Sequence, residues 1–498
     1  MILIENKAQR KLNNFWNHCL FHPTDAVEDQ WGKRILDRIS GDGAIKTIRI
    51  YTMFEDIVYL DENGKLQYDF RVSDLRLDYL VERGFDILLA YGGMPDCISE
   101  STENKTSVSK NKTRYKGKLW NTSPPRDYAL WEKICYEYTK HNVERYGIEV
   151  VSKWHCQCFN EPDLQSFFMS ELPKDEIRIR CKEYCKLYQS FEKGIRKVSE
   201  NIRIGGPAIA RNLEFLGDFL DFVKERNLKL DYISFHNYGT SPRRMHENGD
   251  CICVQNTLRK HAAYLDVVRL HGFGDAEIIV DEWGAASHGF FNKDEAPELM
   301  FRETEVLSAY YVKLIHQMLC MDHNISKMMI CLSGQHEMTE DFSGFRNFFT
   351  LNFIAKPIYN AYILASKLGE YLVAADVNDS NLFVIPTKNQ QGEYAVLLSY
   401  SSDEFDEMLP TREETLNFAE DIKGKKITVW CIDKTTTNPF RLYQKLNTEV
   451  LCAKELELLR EEGRLRPVCQ YICDGVEGIK LTLSANCTYL ITVTREGE

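Results

Sequence analysis

Residues 154–164 read WHCQCFNEPDL, a β-prone run that gives way to Asn160, Glu161 and Pro162. Proline lacks a backbone donor and keeps the residue before it out of helical angles, so Glu161 cannot lie inside a regular element. The pattern predicts a strand over residues 154–159 with Glu161 in the loop at its carboxyl end. Barrel enzymes carry their sites at that end of the strands. Taken alone, the tripeptide is also compatible with an exposed loop.

A second acidic motif occurs at residues 277–284, which read EIIVDEWG. The apolar run predicts a buried strand, and Asp281 and Glu282 follow it directly. Glycoside hydrolysis needs two carboxyl groups, one to protonate the leaving oxygen and one to attack the sugar carbon. We expect Glu161 to be the acid and Glu282 the nucleophile, with Asp281 as the alternative nucleophile.

Strand-like and helix-like stretches alternate from about residue 15 to residue 355. The eight strand candidates begin near residues 15, 45, 85, 154, 202, 232, 277 and 327. Repeated units of this kind favour a closed (β/α)8 TIM barrel of class α/β. An open doubly wound sheet is the alternative, and the lack of a Gly-x-Gly-x-x-Gly turn after the first strand argues against it.

The texture changes after residue 356. One more helix is predicted at 358–368, and then short β-branched and aromatic runs alternate with polar turns. This pattern is typical of an antiparallel β-sandwich. The sequence therefore predicts a catalytic barrel over 1–355, followed by a linking helix and a β-sandwich accessory domain over 356–498.

Composition excludes several classes of partner. The net charge is −12, from 62 Lys and Arg against 74 Asp and Glu, so nucleic acid and anionic membranes are not expected. The basic run at 105–118 lacks interleaved aromatic residues and is interpreted as a solvated loop. We find neither a signal-peptide pattern nor an apolar run of about 18 residues, so a cytoplasmic location is expected. The 16 cysteines lack zinc-site spacing, so reduced thiols, no metal and no cofactor are expected.

Four further residues are candidates to bind a sugar. Asn160 can donate a hydrogen bond to a 2-hydroxyl, or it can simply shape an Asx turn. His236 and Tyr238 close the predicted strand at 232–236, where they can hold a hydroxyl group and orient the nucleophile. Trp283 can stack on a sugar face, although aromatic residues in barrels also build the core.

Two motifs together carry a family resemblance. SPPRDY (123–128) followed by NEPDL (160–164) resembles glycoside hydrolase family 39, the family of β-xylosidases and α-L-iduronidases. Further similar stretches lie at 48–57, 68–95 and 231–240, so the resemblance covers roughly residues 12–370. The trailing sandwich also fits this family.

The resemblance implies a retaining mechanism with Glu161 as general acid/base and Glu282 as nucleophile. It also implies that Asn160, His236 and Tyr238 line the sugar subsite. The two carboxyl groups should then lie about 5–5.5 Å apart. The expected activity is an exo-glycosidase that releases terminal β-xylosyl, or closely related, units from oligosaccharides.

The pocket residues leave alternatives open. Phe159 stands where family xylosidases carry tryptophan, and Asp281 before the nucleophile is similar to the iduronidases. An iduronidase-like or β-galactosidase-like enzyme is therefore an alternative, and a carbohydrate-binding barrel without activity is another. A uronic-acid substrate would need a cation in the pocket, for which Arg243, Arg244 and Arg346 are candidates. A monomer and a homo-oligomer both stay open.

Overall fold

The computed structural model describes residues 1–21, 30–106, 119–321, 324–333, 338–448, 450–475 and 478–495. Its strands are β1 Ile2–Lys11, β2 His18–Leu20, β3 Thr47–Tyr51, β4 Val58–Leu60, β5 Leu66–Tyr68, β6 Asp86–Tyr91, β7 Lys105–Thr106, β8 Trp120–Asn121, β9 His155–Cys158, β10 Arg203–Ile209, β11 Tyr232–Thr240, β12 Glu277–Ala286, β13 Ile325–Cys331, β14 Tyr371–Val377, β15 Leu382–Lys388, β16 Tyr394–Tyr400, β17 Arg412–Phe418, β18 Lys426–Ile432, β19 Pro467–Ile472, β20 Ile479–Leu483 and β21 Cys487–Thr494. Its α-helices are Gln30–Gly41, Arg71–Glu82, Tyr128–Tyr146, Ile148–Val151, Ile177–Arg196, Leu213–Glu225, Pro242–Asn248, Val254–Leu270, Glu305–Leu319, Pro357–Ser366, Pro439–Leu446 and Ala453–Glu462.

Eight parallel strands close into a barrel in the order β10-β11-β12-β13-β2-β3-β6-β9. Every residue of β3 and β9 is buried, as expected for parallel strands covered on both faces. The helices between them have ordinary caps. Asp127 accepts from the backbone N–H of Ala129 at 2.8 Å, and Gly147 ends the same helix at φ 82°. The predicted fold class, a (β/α)8 barrel with an antiparallel C-terminal domain, is confirmed.

The second domain is a nine-stranded, mostly antiparallel sheet in the order β19-β18-β21-β16-β15-β14-β1-β17-β20. The sheet curls, because residues from both of its halves, such as Leu416 and Leu481 on one side and Val396 and Ile491 on the other, share one apolar core. Burial alternates along β20, whose inward residues are Ile479, Leu481 and Leu483. This alternation is the strand pattern expected for a sheet with one face in the core.

The first strand belongs to this second sheet. Strand β1 pairs antiparallel with β14 and parallel with β17. The predicted barrel range of 1–355 includes these residues, but Ile2 and Ile4 are fully buried in the core of the nine-stranded sheet. The long sequence separation explains the difference, because a strand whose partners lie 360 to 414 residues away leaves no local pattern that points to them.

The two domains pack through the helix Glu305–Leu319. Its residues Tyr310 and Leu314 share one apolar cluster with Leu397 and Leu490 of the sheet. On the same helix, Nζ of Lys313 lies 2.7 Å from Oδ1 of Asp403. The shared core makes the barrel and the sheet one packed body.

No described helix is both long and apolar enough to cross a membrane. The basic run at 105–118 falls mostly outside the described residues, because only Lys105 and Thr106 of it belong to the part that the structure describes. All sixteen cysteines are free thiols, most of them buried.

Candidate active site

A cavity of about 1260 Å³ opens at the carboxyl ends of the barrel strands. Glu161 and Glu282 both line it, together with Asn160, Tyr51 and Tyr238. These residues come from β3, β9, β11 and β12 or the loops that follow them, so residues far apart in the sequence converge here. Ligand pockets are usually about 300–1,000 Å³, so this cavity has room for a sugar and a sizeable leaving group.

Glu161 lies one residue beyond Asn160 in the loop after β9, with an unusual backbone. Its φ is +45°, in the left-handed region that non-glycine residues adopt uncommonly. Its N–H donates to the carbonyl of Ala208 at 3.0 Å, which holds the loop against the end of β10. The sequence prediction that Glu161 projects from a loop at a strand end agrees with this position.

Glu282 is held by donors on both carboxylate oxygens. Nη1 of Arg49 donates to Oε1 at 2.8 Å and the Tyr51 hydroxyl donates to the same oxygen at 3.1 Å. The Tyr238 hydroxyl donates to Oε2 at 2.7 Å. Burial alone would raise the pKa of this carboxyl, but the positive charges of His236 and Arg49 outweigh it and lower the pKa to about 2. Glu282 is therefore ionised.

A β-bulge brings two consecutive acidic residues to the inside of the barrel. The pairing of β11 with β12 runs from Phe235–Val280 to His236–Glu282 and leaves Asp281 without a partner. An extra residue of this kind breaks the alternation of inward and outward side chains. Asp281 is fully buried and accepts from Nε2 of Gln157 at 2.8 Å. Asp281 does not line the cavity, whereas Glu282 does.

The carboxyl groups of Glu161 and Glu282 are close together. One oxygen of each lies within 4.8 Å of the other and of the His236 ring. Nδ1 of His236 is 2.8 Å from Oε1 of Glu161 and 3.6 Å from Oε2 of Glu282. No water molecule needs to separate the two carboxyl groups at this distance.

The pKa values of the two glutamates are shifted in opposite directions. Burial, with the negative charge of Glu282, raises the pKa of Glu161, and the hydrogen bond from His236 only partly opposes this. Burial alone would lower the pKa of His236, but the charges of Glu282 and Asp281 dominate and raise the pKa to about 10. With Arg49⁺ and His236⁺ facing two ionised carboxylates, a proton on Glu161 makes the whole buried group neutral.

Arg49 is the residue that sequence reasoning missed. Besides Glu282, it donates to Oε1 of Gln157 at 2.8 and 3.0 Å and to Oδ1 of Asn160 at 2.7 Å, and it lies 3.2 Å from Asp281. It is fully buried, and the nearby negative charges keep its pKa raised. The available signal was a lone arginine inside the otherwise uncharged strand TIRIY, since a buried charge needs partners.

The structure brings five of the six predicted site residues together. His236 and Tyr238 contact the glutamates at the distances given above, and Asn160 joins the group through Arg49. Asn160 uses its oxygen on Arg49, which leaves its Nδ2 group without a partner among the described residues. Trp283 is placed elsewhere. It is fully buried and stacks against Tyr310 and Tyr311, with ring centroids 6.5 and 5.9 Å apart. It does not line the cavity.

Asp163 connects two of the loops that form the cavity. Its carboxylate accepts from the backbone N–H groups of Ala210 at 2.8 Å and of Arg211 and Asn212 at 3.0 Å. These three residues follow β10, whereas Asp163 follows β9. The contact fixes the segment that carries Glu161 relative to the neighbouring loop.

The three candidate arginines differ in position. Arg243 does not line the cavity, and its largely exposed side chain pairs with Glu247 at 2.8 Å. Arg244 and Arg346 do line it. Arg346 lies over the Tyr238 ring at 4.9 Å, and its Nη1 atom is buried with no hydrogen-bond partner among the described residues.

Glu161, His236 and Glu282 are also close enough together to hold a metal ion. The raised pKa of His236 opposes this, because a protonated imidazole has no lone pair for a metal. The group therefore fits proton transfer and ion pairing better than metal binding.

Comparison with known proteins agrees with this geometry. The family model described as glycosyl hydrolases family 39 matches residues 1–466. The chain belongs to this family. Family 39 members act on carbohydrates, so the chain is a glycosidase-family protein with a carbohydrate substrate.

The relatives within family 39 include β-xylosidases and α-L-iduronidases. A β-xylosidase of Caldicellulosiruptor saccharolyticus is 24% identical over 463 residues, which are 90% of this chain and 88% of that protein. An α-L-iduronidase of Canis lupus familiaris is 25% identical over 259 residues, only 47% of this chain and 35% of that protein. A crystal structure of a monomeric β-xylosidase from Caulobacter crescentus CB15 has a similar fold, with a TM-score of 0.83 at 17% identity, over 100% of this chain and 99% of that one.

Proposed function

We propose that this chain is a retaining exo-glycosidase that releases terminal β-xylosyl, or closely related, units from oligosaccharides. The observation that carries the proposal is the pair formed by Glu161 and Glu282, whose carboxylate oxygens lie within 4.8 Å of each other. Inverting enzymes need their two carboxyl groups about 6.5–9.5 Å apart to admit a water molecule. The shorter separation supports direct attack on the sugar by one of the carboxylates.

In the first step Glu282 is the nucleophile. Its ionised oxygen attacks the anomeric carbon, and the bond from that carbon to the leaving oxygen breaks. Glu161 gives its proton to the leaving oxygen, so the aglycone departs as a neutral alcohol and the sugar stays as an ester on Glu282. The low pKa of Glu282 and the raised pKa of Glu161 support this assignment.

In the second step Glu161 changes from acid to base, because the negative charge of Glu282 has gone. Once Glu282 is an ester it no longer carries the negative charge that raises the pKa of Glu161. Glu161 then acts as the base: it takes a proton from water, and the hydroxide oxygen attacks the anomeric carbon. The ester bond breaks, Glu282 regains its charge, and the sugar leaves with its original anomeric configuration.

The β-xylosidase relatives support the choice of sugar, because their matches to this chain span 82% or more of each relative's length. An iduronidase-like activity is the second candidate. Arg346 favours it, because this half-buried arginine lies beside Tyr238, on the side of Glu282, and its buried Nη1 has no hydrogen-bond partner among the described residues. A carboxylate on the sugar would be a suitable partner for that group.

A panel of 4-nitrophenyl glycosides tests the proposal. We expect turnover of the β-xyloside above the β-galactoside, the α-arabinoside and the α-iduronide, and NMR of the first-formed sugar should show retained configuration. Preference for the α-iduronide would favour the second candidate, and inverted product would exclude the double displacement.

A further inference from the structure

One wall of the cavity carries an excess of positive charge that the chemistry above does not use. Arg211, Arg244 and Lys260 all line the cavity. This is unexpected in a chain with a net charge of −12. The three side chains come from elements that follow β10 and β11. Strand β10 pairs with β9, whose following loop carries Glu161, and β11 is the next strand round the barrel.

Lys260 is the central residue of this cationic wall. It lies on the helix Val254–Leu270 and is only partly exposed, and no hydrogen bond or ion pair engages its ammonium group among the described residues. Burial and the like charges of Arg244 and Arg211 lower its pKa to about 8, against the opposing effect of Asp163 and Glu161. A half-buried cation held beside two other cations is unfavourable unless an anion joins it.

The nearby acidic groups are already engaged. Asp163 is occupied by the three backbone N–H groups of residues 210–212. Asp250 pairs with Arg244 at 2.8 Å and also accepts from Thr240. Glu161 is hydrogen-bonded to His236. Among the described residues neither Lys260 nor Arg211 forms an ion pair with these groups, so the cationic wall can accept an external anion.

The position of the wall decides which part of a substrate would meet it. Arg346, a half-buried cation that also lines the cavity, influences Glu282 and follows β13. The cationic wall is instead close to Glu161, which donates its proton to the leaving group. An anion on the leaving side would therefore reach Lys260, whereas an anion on the sugar ring would reach Arg346.

We propose that Lys260, Arg211 and Arg244 form a subsite for an acidic leaving group, so that the preferred substrate carries an oxyanion on the aglycone unit next to the scissile bond. This rests on the proposed function, because it takes Glu161 as the acid that faces the leaving group. The oxyanion is a carboxylate, as in a uronic-acid unit, or a sulfate or phosphate ester, which guanidinium and ammonium groups bind by the same chemistry.

Matched synthetic substrates test the subsite. The sugar is the one preferred in the nitrophenyl panel, and the aglycones are 4-(carboxymethyl)phenol and its uncharged isostere 4-(carbamoylmethyl)phenol. We expect kcat/KM to be about tenfold or more higher for the acid, the effect of one charge-assisted hydrogen bond. Sulfomethyl and phosphonomethyl aglycones form two further arms, and the arm with the highest kcat/KM identifies the oxyanion.

The variants Lys260→Met and Arg211→Met should each reduce the acid-to-amide ratio to about twofold. Arg243→Gln is the matched control, because Arg243 lies on a neighbouring exposed turn of helix and does not line the cavity. Its ratio should equal that of the unmodified protein. Melting curves of all variants separate a loss of the ratio from a loss of folding.

Two outcomes overturn the subsite. One is equal kcat/KM for acid and amide in the unmodified protein, and the other is a ratio that Lys260→Met and Arg211→Met leave unchanged. If no glycoside is turned over at all, the proposed function fails, and binding of glucuronate and glucose 6-phosphate is then measured by calorimetry. Binding that Lys260→Met abolishes supports the subsite, and no binding to the unmodified protein excludes it.

Discussion

Nη1 of Arg49 lies 2.8 Å from Oε1 of Glu282, and both side chains are buried at the centre of the barrel mouth. The same guanidinium also contacts Asp281, Gln157 and Asn160. One residue of β3 thus links the ends of β9 and β12. Its contribution can be measured both as stability and as the ionisation of Glu282.

Arg49→Gln should destabilise the protein by about 3–5 kcal/mol, because it leaves two buried carboxylates without their cation. The acidic limb of the pH–activity profile should move to higher pH, since Arg49 is one of the groups that lower the pKa of Glu282. Denaturant unfolding and kinetics measure the two effects. The exposed Arg71→Gln, which breaks only the surface pair with Asp69, should change neither. Equal stability of Arg49→Gln and the unmodified protein would contradict the assignment.

Glu161→Gln should lower kcat/KM about 10²–10⁴-fold on glycosides with poor leaving groups, because proton donation is lost. A dinitrophenyl glycoside needs no proton, so its first step should be far less affected. The comparison of the two substrates by steady-state kinetics isolates this role. Glu171→Gln on the same loop, where the side chain is exposed and does not line the cavity, should leave both rates unchanged. A uniform loss on both substrates would point to misfolding.

His236 should make stability depend on pH in the alkaline range. Its pKa is raised from 6.5 to about 10 in the folded state, so its stabilisation is fully present below pH 6.5 and is lost as pH rises towards 10. Over that window the unfolding free energy should fall with a slope of up to about 1.4 kcal/mol per pH unit. Urea unfolding at several pH values measures the slope, and His236→Asn should flatten it.

Glu282 gives the opposite trend in acid. Its pKa is lowered from 4.5 to about 2, so its stabilisation is present above pH 4.5 and is lost as pH falls towards 2. Glu282→Gln should reduce this acid dependence relative to the unmodified protein in the same unfolding experiment. An acid dependence that Glu282→Gln leaves intact would mean that other carboxylates dominate.

Asp163→Asn should lower kcat while the fold persists. The variant keeps one side-chain acceptor for backbone groups but loses the charge that three N–H donors now share. A loss on the order of 1–3 kcal/mol is expected from weakened charge-assisted hydrogen bonds. Thermal melting measures the loss of stability, and steady-state kinetics measure the fall in kcat. Asp175→Asn is the control, because Asp175 lines the same cavity and its carboxylate accepts no backbone hydrogen bond in the part of the chain that the structure describes.

Trp283→Phe should reduce stability more than substrate binding. The ring fills space against Tyr310 and Tyr311, so the smaller side chain leaves a void that costs on the order of 1–3 kcal/mol. KM should stay within about twofold of the unmodified protein, since the ring does not line the cavity. A large rise in KM with an unchanged melting temperature would show instead that Trp283 contributes to substrate binding.

The sequence predicted the barrel because its signals are local. Each strand carries its own apolar run, and the glutamates follow those runs directly, as at Asn160–Glu161 and Asp281–Glu282. His236 and Tyr238 could also be predicted, because a polar side chain at the end of a predicted strand was enough to make each of them a candidate. The cytoplasmic location and the oligomeric state stay predictions or open questions.

What the sequence could not reveal depends on long-range pairing. The bulge at Asp281 exists only relative to β11, so the inward direction of two consecutive acidic residues has no local signature. The sequence allowed Trp283 either to stack on a sugar or to pack in the core. Its contact with the helix Glu305–Leu319, a long-range contact, places it in the core. Lys260 and Arg211 lie on separate elements, and only the barrel order brings them to one wall.

The pairing of β1 with β14 and β17 has a consequence for biosynthesis. Residues 2–11 leave the ribosome well before their hydrogen-bonding partners, which begin only at residue 371. At roughly 5–20 residues per second, this segment waits on the order of tens of seconds for them. An unpaired strand edge persists throughout that interval, open to chaperones or to a neighbouring nascent chain.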